Sequence, residues 1–473
     1  MVLLILVSLN ILFLFVILFV ERDDPTRVLH WIMVLLLLPS LVGVPLYILF
    51  HQNHERKRKR FEQKARADLE ILRVDSTGAP DVVASTPSPS NWEGPEEYRG
   101  LALLVSQADP QAPLVKDNDV RLFVDGTEKF DALLDDLRAA QDHIHIEYYI
   151  MRNDALAREL LEVLEDRARN GVEVRLLLDA LGSKAVKKLT LALTAVGARV
   201  AFFYPGVART NYRNHRKIAI IDGRIGYCGG YNIGDEYLGK GPLGYWRDAA
   251  VRVVGPGVDQ LQVRFLRDWM YSSGDRVKSP ASFLRGARAE SPAMMQQVSS
   301  GPDTRRQSIK EVYVRMIMMA RESCYIQSPY FLPDTSIMDA LRVAAASGVD
   351  VRIMIPDKPD HPFVFWASQS FCADLLEDGV RSYRYNNGFI HAKTMVVDGK
   401  VGSVGSANMD MRSFRLNFET NVIVYDETFG SQMRDAFLAD LAVSSELTAE
   451  EYAERSFVVR FKEPFSRLFF PLA

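Results

Sequence analysis

At 473 residues the chain is longer than one typical domain, and its 48% hydrophobic and 25% charged residues are the composition of a protein with a packed core. A formal net charge of -3 lacks the basic excess of a nucleic-acid binder, so no nucleic-acid partner is expected. The cysteines Cys228, Cys324 and Cys372 lie far apart with no C-x2-C pair, which argues against a zinc site or a disulfide framework and suits a reducing compartment.

The chain opens on "MVLLILVSLNILFLFVILFV", uncharged from Met1 to Val20. At about 1.5 Å per residue such a run can cross a hydrocarbon layer of about 30 Å. A short charged turn, "ERDDPTR", leads into a second apolar run from Val28 to Phe50. No basic residue precedes the first run, no small-residue cleavage site follows it, and a second span comes at once. Residues 1–50 are therefore expected to form a retained transmembrane helical hairpin rather than a cleaved signal. Every residue from Arg56 to Arg60 is basic. By the positive-inside rule this puts both termini and the large C-terminal region on the cytoplasmic side of an inner membrane, with an anionic lipid bilayer as partner. From Asp75 to Gly100 the text is rich in Pro, Ser and Gly and reads as a flexible tether, so 51–115 is expected as a basic juxtamembrane segment and linker.

Beyond about Lys116 strands and helices alternate. "HIHIEYYI" from His143, the helical "ALARELLEVLEDRARNG" and the strand "VEVRLLLD" are matched later by "CYIQSPYFL", "SIMDALRVAAASG" and "VDVRIMIPD". The simplest architecture is two similar α/β lobes, 116–298 and 299–473, each a mixed sheet flanked by helices. His143 and His145 share one strand face and read as packing. "HPFVFWASQSF" and the terminal "FSRLFFPLA" read either as core and helix face or as surfaces that dock on a membrane or shield a site.

Within this duplication lies a doubled phrase: "HRKIAIIDGRIGYCGGYN" from His215 to Asn232 and "HAKTMVVDGKVGSVGSAN" from His391 to Asn408. Each is a β-rich run closing in Asp-Gly, a hairpin-turn signal. Alternation puts His215 with Lys217, and His391 with Lys393, on one face, while Asp222 and Asp398 fall at the turns, where side-chain bonds to backbone would anchor them. The glycines would bring Asn232 and Asn408 back beside the strand. Nothing in core formation asks for a paired His-x-Lys, so two facing copies point to chemistry. Two lysines and two asparagines would hold the non-bridging oxygens of a phosphodiester. One histidine would attack phosphorus, and the other would protonate the leaving alkoxide and then activate the incoming hydroxyl. With lysines supplying the charge, neither a metal nor another cofactor is expected. Each phrase is followed by an acid opening a β-rich run, Asp248 in "YWRDAAVRV" and Glu419 in "NFETNVIV"; each is expected to orient the histidine upstream of it.

These residues resemble the phospholipase D superfamily, and within it the branch that makes cardiolipin in bacteria. The resemblance also covers the N-terminal hairpin, "HIEYYI", "QSPYFLPD" and "SRLFFPLA". It implies that His215, Lys217 and Asp222 form one catalytic motif and His391, Lys393 and Asp398 the other, with the site between the lobes. It further implies that the phosphatidyl group of one phosphatidylglycerol passes through a phosphohistidine to the glycerol of another. Hydrolysis by the same site, or another phosphatidyl transfer, stays open at this point, as do the oligomeric state and the identity of the attacking histidine, with His215 favoured. Ser406 stands where the first copy has Gly230; it could donate to phosphate, so the half-sites are expected to be inequivalent.

Overall fold

The computed structural model describes residues 2–20, 25–37, 43–44, 47, 95–109, 112–203, 212–275, 277, 280–286, 288–304 and 306–469. It divides into a small N-terminal unit, 1–57, and a large unit that holds both phrases.

In the small unit the helices Val2–Val20 and Pro25–Leu37 pack through Ile17, Val28, Trp31 and Leu35. Tyr47 sits edge-on to Phe13 and Trp31, at 5.9 and 5.1 Å between ring centroids. The first helix carries no charged residue, yet taken over the described residues no helix is long and apolar enough to cross a membrane. The fold thus does not itself support the expected transmembrane hairpin. The basic run from Arg56 to Arg60 lies outside the described residues, as does the expected tether up to 94. The last residues of that tether are not linker: a helix runs Glu96–Ala108 and buries Tyr98, Leu101, Ala102 and Val105.

The large unit is built on one mixed sheet. Its first half comprises β1 (Val115–Phe123), β2 (His143–Tyr148), β3 (Glu173–Asp179), β4 (Arg199–Phe203), β5 (Ile218–Ile221), β6 (Ile225–Gly229) and β8 (Ala250–Val254), with the short β7 (Trp246–Arg247) outside it. The second half comprises β9 (Ala293–Ser300), β10 (Ser323–Gln327), β12 (Asp350–Pro356), β13 (Arg381–Tyr385), β15 (Thr394–Val397), β16 (Val401–Gly405), β18 (Glu419–Tyr425) and β19 (Ser444–Leu447). The short β11 (Phe331–Leu332), β14 (Phe389–Ile390) and β17 (Met409–Asp410) lie outside the main sheet. Strand order is β4-β3-β2-β5-β6-β8-β1, then β9-β18-β16-β15-β10-β12-β13-β19. Read outward from the antiparallel β1–β9 seam, the two orders are the same, and only β19 is extra. In each half the three outer strands of the repeat run parallel and the rest antiparallel.

Aspartates begin four of the helices that follow strands. Asp125, Asp154, Asp334 and Asp426 each accept the backbone N–H three residues on, satisfying a donor the helix itself leaves open. One hydrophobic core spans both halves: Leu261, Phe265 and Trp269 of helix Gly257–Ser273 and Phe429, Met433 and Phe437 of helix Glu427–Leu441 join Ile218, Cys228, Val404 and Val422. The other faces have separate cores under their own helices. The three cysteines are buried and free, and His143 and His145 are packed with Gln262, Phe265 and Phe283.

Arg216, between the histidine and lysine of the first phrase, is fully buried and ties the halves from inside. Its guanidinium donates to both Asp268 oxygens at 3.0 and 2.9 Å and to the Glu419 carbonyl at 3.1 Å. Arg216→Leu would leave buried carboxylates short of a partner, and is expected to cost about 3–5 kcal/mol in thermal unfolding. An unchanged melting temperature would show that this network does not hold the halves.

Candidate active site

Neither histidine lies in the ladder of the main sheet. Each sits where the chain leaves its own half to pair with the other. β14 runs parallel to β7, Phe389 opposite Trp246 and Ile390 opposite Arg247, and the His391 N–H donates to the Arg247 carbonyl at 2.7 Å. The mirror arrangement pairs Asn214 with Phe418: the His215 N–H donates to the Phe418 carbonyl at 3.0 Å, and the Phe418 N–H to the Arg213 carbonyl at 2.9 Å. Arg247 and Phe418 are the residues directly before the two acids. Backbone pairing therefore delivers each acid to the histidine of the opposite half.

The side chains complete the exchange. Glu419 meets His215 Nδ1 with both oxygens, at 3.0 and 2.9 Å, and Asp248 Oδ2 meets His391 Nδ1 at 2.6 Å. The expected same-half partnership is thus overturned: Asp248 serves His391 and Glu419 serves His215. The spacing along the chain was sound, but the crossing strands decide the partner. Both acids are completely buried. A carboxylate on Nδ1 keeps the hydrogen there and leaves the lone pair of neutral imidazole on Nε2, an atom that makes no hydrogen bond within the described residues in either ring.

Both lysines fold back onto the backbone of their own motif. Lys217 Nζ donates to the His215 carbonyl at 2.5 Å, and Lys393 Nζ to the His391 carbonyl, lying 3.9 Å from Asp248 Oδ2. Burial pushes His215 and His391 down to about 4, against the pull of Glu419 and Asp248. Burial also lowers Lys217 to about 7 and Lys393 to about 8. Each lysine bears on the histidine of the other half, and Lys393 on Lys217. The four basic groups thus form one electrostatic unit. Burial alone would raise Glu419, but His215, Lys217 and Ser406 hold it below the usual carboxylate value.

Asp222 anchors its turn, as its place on the strand implies: it accepts the backbone N–H groups of Gln141, Asp142 and His143 at 2.8–3.0 Å. Asp398 does the same for Arg321, Glu322 and Ser323. Each occupies a left-handed turn position, φ 54° and 53°, followed by Gly223 and Gly399 at 62° and 63°. They fasten the β5–β6 and β15–β16 turns to the starts of β2 and β10. Ser406, expected on phosphate, donates to Glu419 Oε2 at 2.5 Å. Its counterpart is glycine because a Cβ on Gly230 would lie 2.1 Å from Asp248 Oδ1. Asn232, also expected on phosphate, accepts the Ile150 N–H at 3.3 Å and donates to Tyr237 Oη at 3.1 Å. Asn408 differs: its buried Oδ1 has no partner among the described residues.

An aromatic wall completes the site. Tyr149 stands edge-on to His215 at 4.8 Å, while Trp246 lies 5.3 Å from His391 and Tyr237 Oη 3.3 Å from its Nδ1. None of the three stands out in the sequence. Tyr149 falls in the β-rich "HIEYYI" and Trp246 lies two residues before Asp248, positions that one lobe alone does not make into a site.

The anchoring role of the motif aspartates separates stability from chemistry. Asp398→Ala is expected to cost about 1–3 kcal/mol in thermal unfolding, the penalty for stranding backbone donors. Turnover per folded molecule should stay within a fewfold of the parent; a hundredfold loss in fully folded protein would return Asp398 to the reaction.

Comparison with known proteins places this site in a family. The family described as "Cardiolipin synthase, PLD-like domain" matches residues 133–269 and 313–441, one match around each phrase. A cardiolipin synthase of Listeria innocua is 44% identical, with 99% of this chain and 98% of the relative covered. One of Staphylococcus aureus is 43% identical, with 98% and 95% covered. Among solved structures, phosphatidylserine synthase of Haemophilus influenzae shares the fold, with a TM-score of 0.59 at 14% identity, covering 74% of this chain and 92% of that one. The chain belongs to the phospholipase D-like cardiolipin synthase family.

Proposed function

We propose that this protein moves the phosphatidyl group of one phosphatidylglycerol onto the glycerol headgroup of a second, giving cardiolipin and free glycerol. The observation that carries this reading is the crosswise pair of buried imidazole–carboxylate units, each with its Nε2 unbonded, set in one cluster with two lysines. In this reading His215 Nε2 attacks phosphorus. The bond from phosphorus to the departing glycerol oxygen breaks, and His391, protonated, gives that oxygen its proton. The glycerol hydroxyl of the second lipid then loses a proton to His391 and attacks phosphorus, and the bond to His215 breaks. Lys217 and Lys393 donate to the non-bridging oxygens, together with the amide Nδ2 of Asn408. Ser406 and Asn232 are positioning residues, acting through Glu419 and Tyr237.

The depressed affinities for protons have a use here. Four basic groups in a space shielded from water repel one another, and an entering phosphodiester anion relieves that repulsion. Substrate thus favours charged lysines and a protonated His391 while His215, held by Glu419, presents its lone pair. Water must be kept from the phosphohistidine for transfer to win over hydrolysis, and Tyr149, Trp246 and Tyr237 are the apolar groups placed to do it.

The rest of the chain fits a lipid substrate. We read residues 1–50 as a retained membrane hairpin and the basic run from Arg56 to Arg60 as its cytoplasmic, headgroup-facing flank. The two halves then work at the inner face of the cytoplasmic membrane.

The test is purified protein with radiolabelled phosphatidylglycerol in chelator-treated mixed micelles, products resolved by chain chemistry. Cardiolipin and glycerol are expected, with His215→Ala and His391→Ala each slower by roughly a thousandfold or more. Phosphatidic acid as the main product would make the protein a hydrolase instead.

A pH profile gives a second check. For the free enzyme kcat/KM is expected to fall below about pH 4, as His215 takes up a proton, to decline from about 4 upward as His391 loses the proton it must give, and to fall more steeply above about 7–8, as Lys217 and then Lys393 lose theirs. Lys217→Arg, charged throughout, should move the alkaline limb upward. A profile flat to pH 10 would mean that the lysines' charge is not used.

A further inference from the structure

The C-terminal helix Phe457–Phe469 is amphipathic the wrong way round. Its inward positions are polar: Glu463 and Ser466 are buried, with Glu463 bonded to Tyr452 and Arg455 at 2.7 and 2.9 Å. Its outward stripe is apolar. Phe457 is 82% exposed, Val458 58%, Phe461 63% and Phe465 43%. Their spacing of one, three and four residues puts them on one side. Arg467 locks the helix in this orientation by donating to Asp374 at 2.7 Å and Ser370 at 3.1 Å and stacking over Phe371.

The stripe continues onto the helix Pro362–Ala373. Phe363, itself 63% exposed, lies 6.5 Å from the Phe465 ring, and Phe461 lies 6.1 Å from it on the other side. Basic side chains edge the patch: Lys462 sits over Trp366 at 5.1 Å, and Arg460 is exposed. Exposed phenylalanines joined across two helices and rimmed by cations are the composition of a surface that enters an anionic lipid interface.

A series of contacts runs from this face to the site. Helix Pro362–Ala373 gives Ser368 Oγ to the Phe331 N–H at 3.1 Å, and Phe331 pairs with Met409, next to Asn408. Just before the helix, Asp360 bonds Tyr330 and bears on Lys393.

We propose that the phenylalanine face formed by Phe363, Phe457, Phe461 and Phe465 inserts into the headgroup region of an anionic bilayer, seating the second half-site against the lipid surface. The occupant is a lipid interface, independent of the N-terminal hairpin. The proposal rests on the lipid-transfer reading for its biological sense, but its test does not.

The native cysteines are buried, so a single surface thiol can be labelled selectively. Full-length Phe461→Cys carrying an environment-sensitive fluorophore, in vesicles of phosphatidylglycerol and phosphatidylethanolamine, is expected to shift to the blue and to be quenched at least twofold by brominated acyl chains. The same label at Glu162→Cys, exposed on helix Ala155–Arg169, should do neither. Phe461→Asp with Phe465→Asp is expected to lower cardiolipin formation in vesicles about tenfold and to leave turnover of a monomeric short-chain phosphatidylglycerol unchanged. No quenching at position 461, or a blue shift that depends on protein concentration in lipid-free detergent and so reports a second copy of the chain, would overturn the proposal. If the label is quenched but no cardiolipin forms, the docking face stands and the reaction assigned to the site falls.

Discussion

The structure depends on an exchange of carboxylates. Glu419 of the second half holds the imidazole of His215 in the first, and Asp248 of the first holds His391 of the second. A buried carboxylate without a partner is costly, and so is a desolvated imidazole of undefined tautomer. Each half therefore leaves its acid and its histidine unmatched until the other arrives. The shared core around helices Gly257–Ser273 and Glu427–Leu441, the β1–β9 seam and the Arg216 network hold the halves in the one arrangement where both pairs close.

The two half-sites are alike in plan and unlike in detail. The two motifs have the same turn, the same anchoring aspartate and the same lysine fold-back. They differ in their acids and in what supports them. Glu419 grips His215 with both oxygens and is steadied by Ser406 and by Asn417 at 3.2 Å. Asp248 reaches His391 with one oxygen and spends the other on the Ala249 N–H at 2.7 Å, with Tyr237 close to the ring. His215 Nδ1 is met by two carboxylate oxygens, whereas His391 Nδ1 is met by one carboxylate oxygen, the Lys393 ammonium at 2.9 Å and a phenol.

Much of this was legible in the residues and some was not. The repeated order of strand, Gly-ended helix and Val-rich strand gave the two α/β halves, and the Asp-Gly turns gave the hairpins and the anchoring role of Asp222 and Asp398. His-x-Lys parity put each lysine beside its own histidine. What the residues did not show was which histidine each acid would meet. Asp248 and Glu419 were assigned within their own lobes because a sequence orders residues along a chain, whereas the partner was set by two-residue bridges, β14 to β7 and Asn214 to Phe418. Nothing in the residues signals that Ser406 donates to Glu419 and Asn232 to Tyr237. The tether's last turn was helix because Tyr98 and Leu101 had a core to enter, and composition does not show that.

The most direct test of the exchange is imidazole nitrogen NMR of protein carrying 15N-labelled histidine, comparing the parent with Glu419→Gln and Asp248→Asn. Crosswise pairing requires Glu419→Gln to move the Nδ1 resonance of His215 and spare that of His391, with Asp248→Asn doing the reverse. If each substitution moved the histidine of its own half, the two halves would not complete one another and the shared site would be lost.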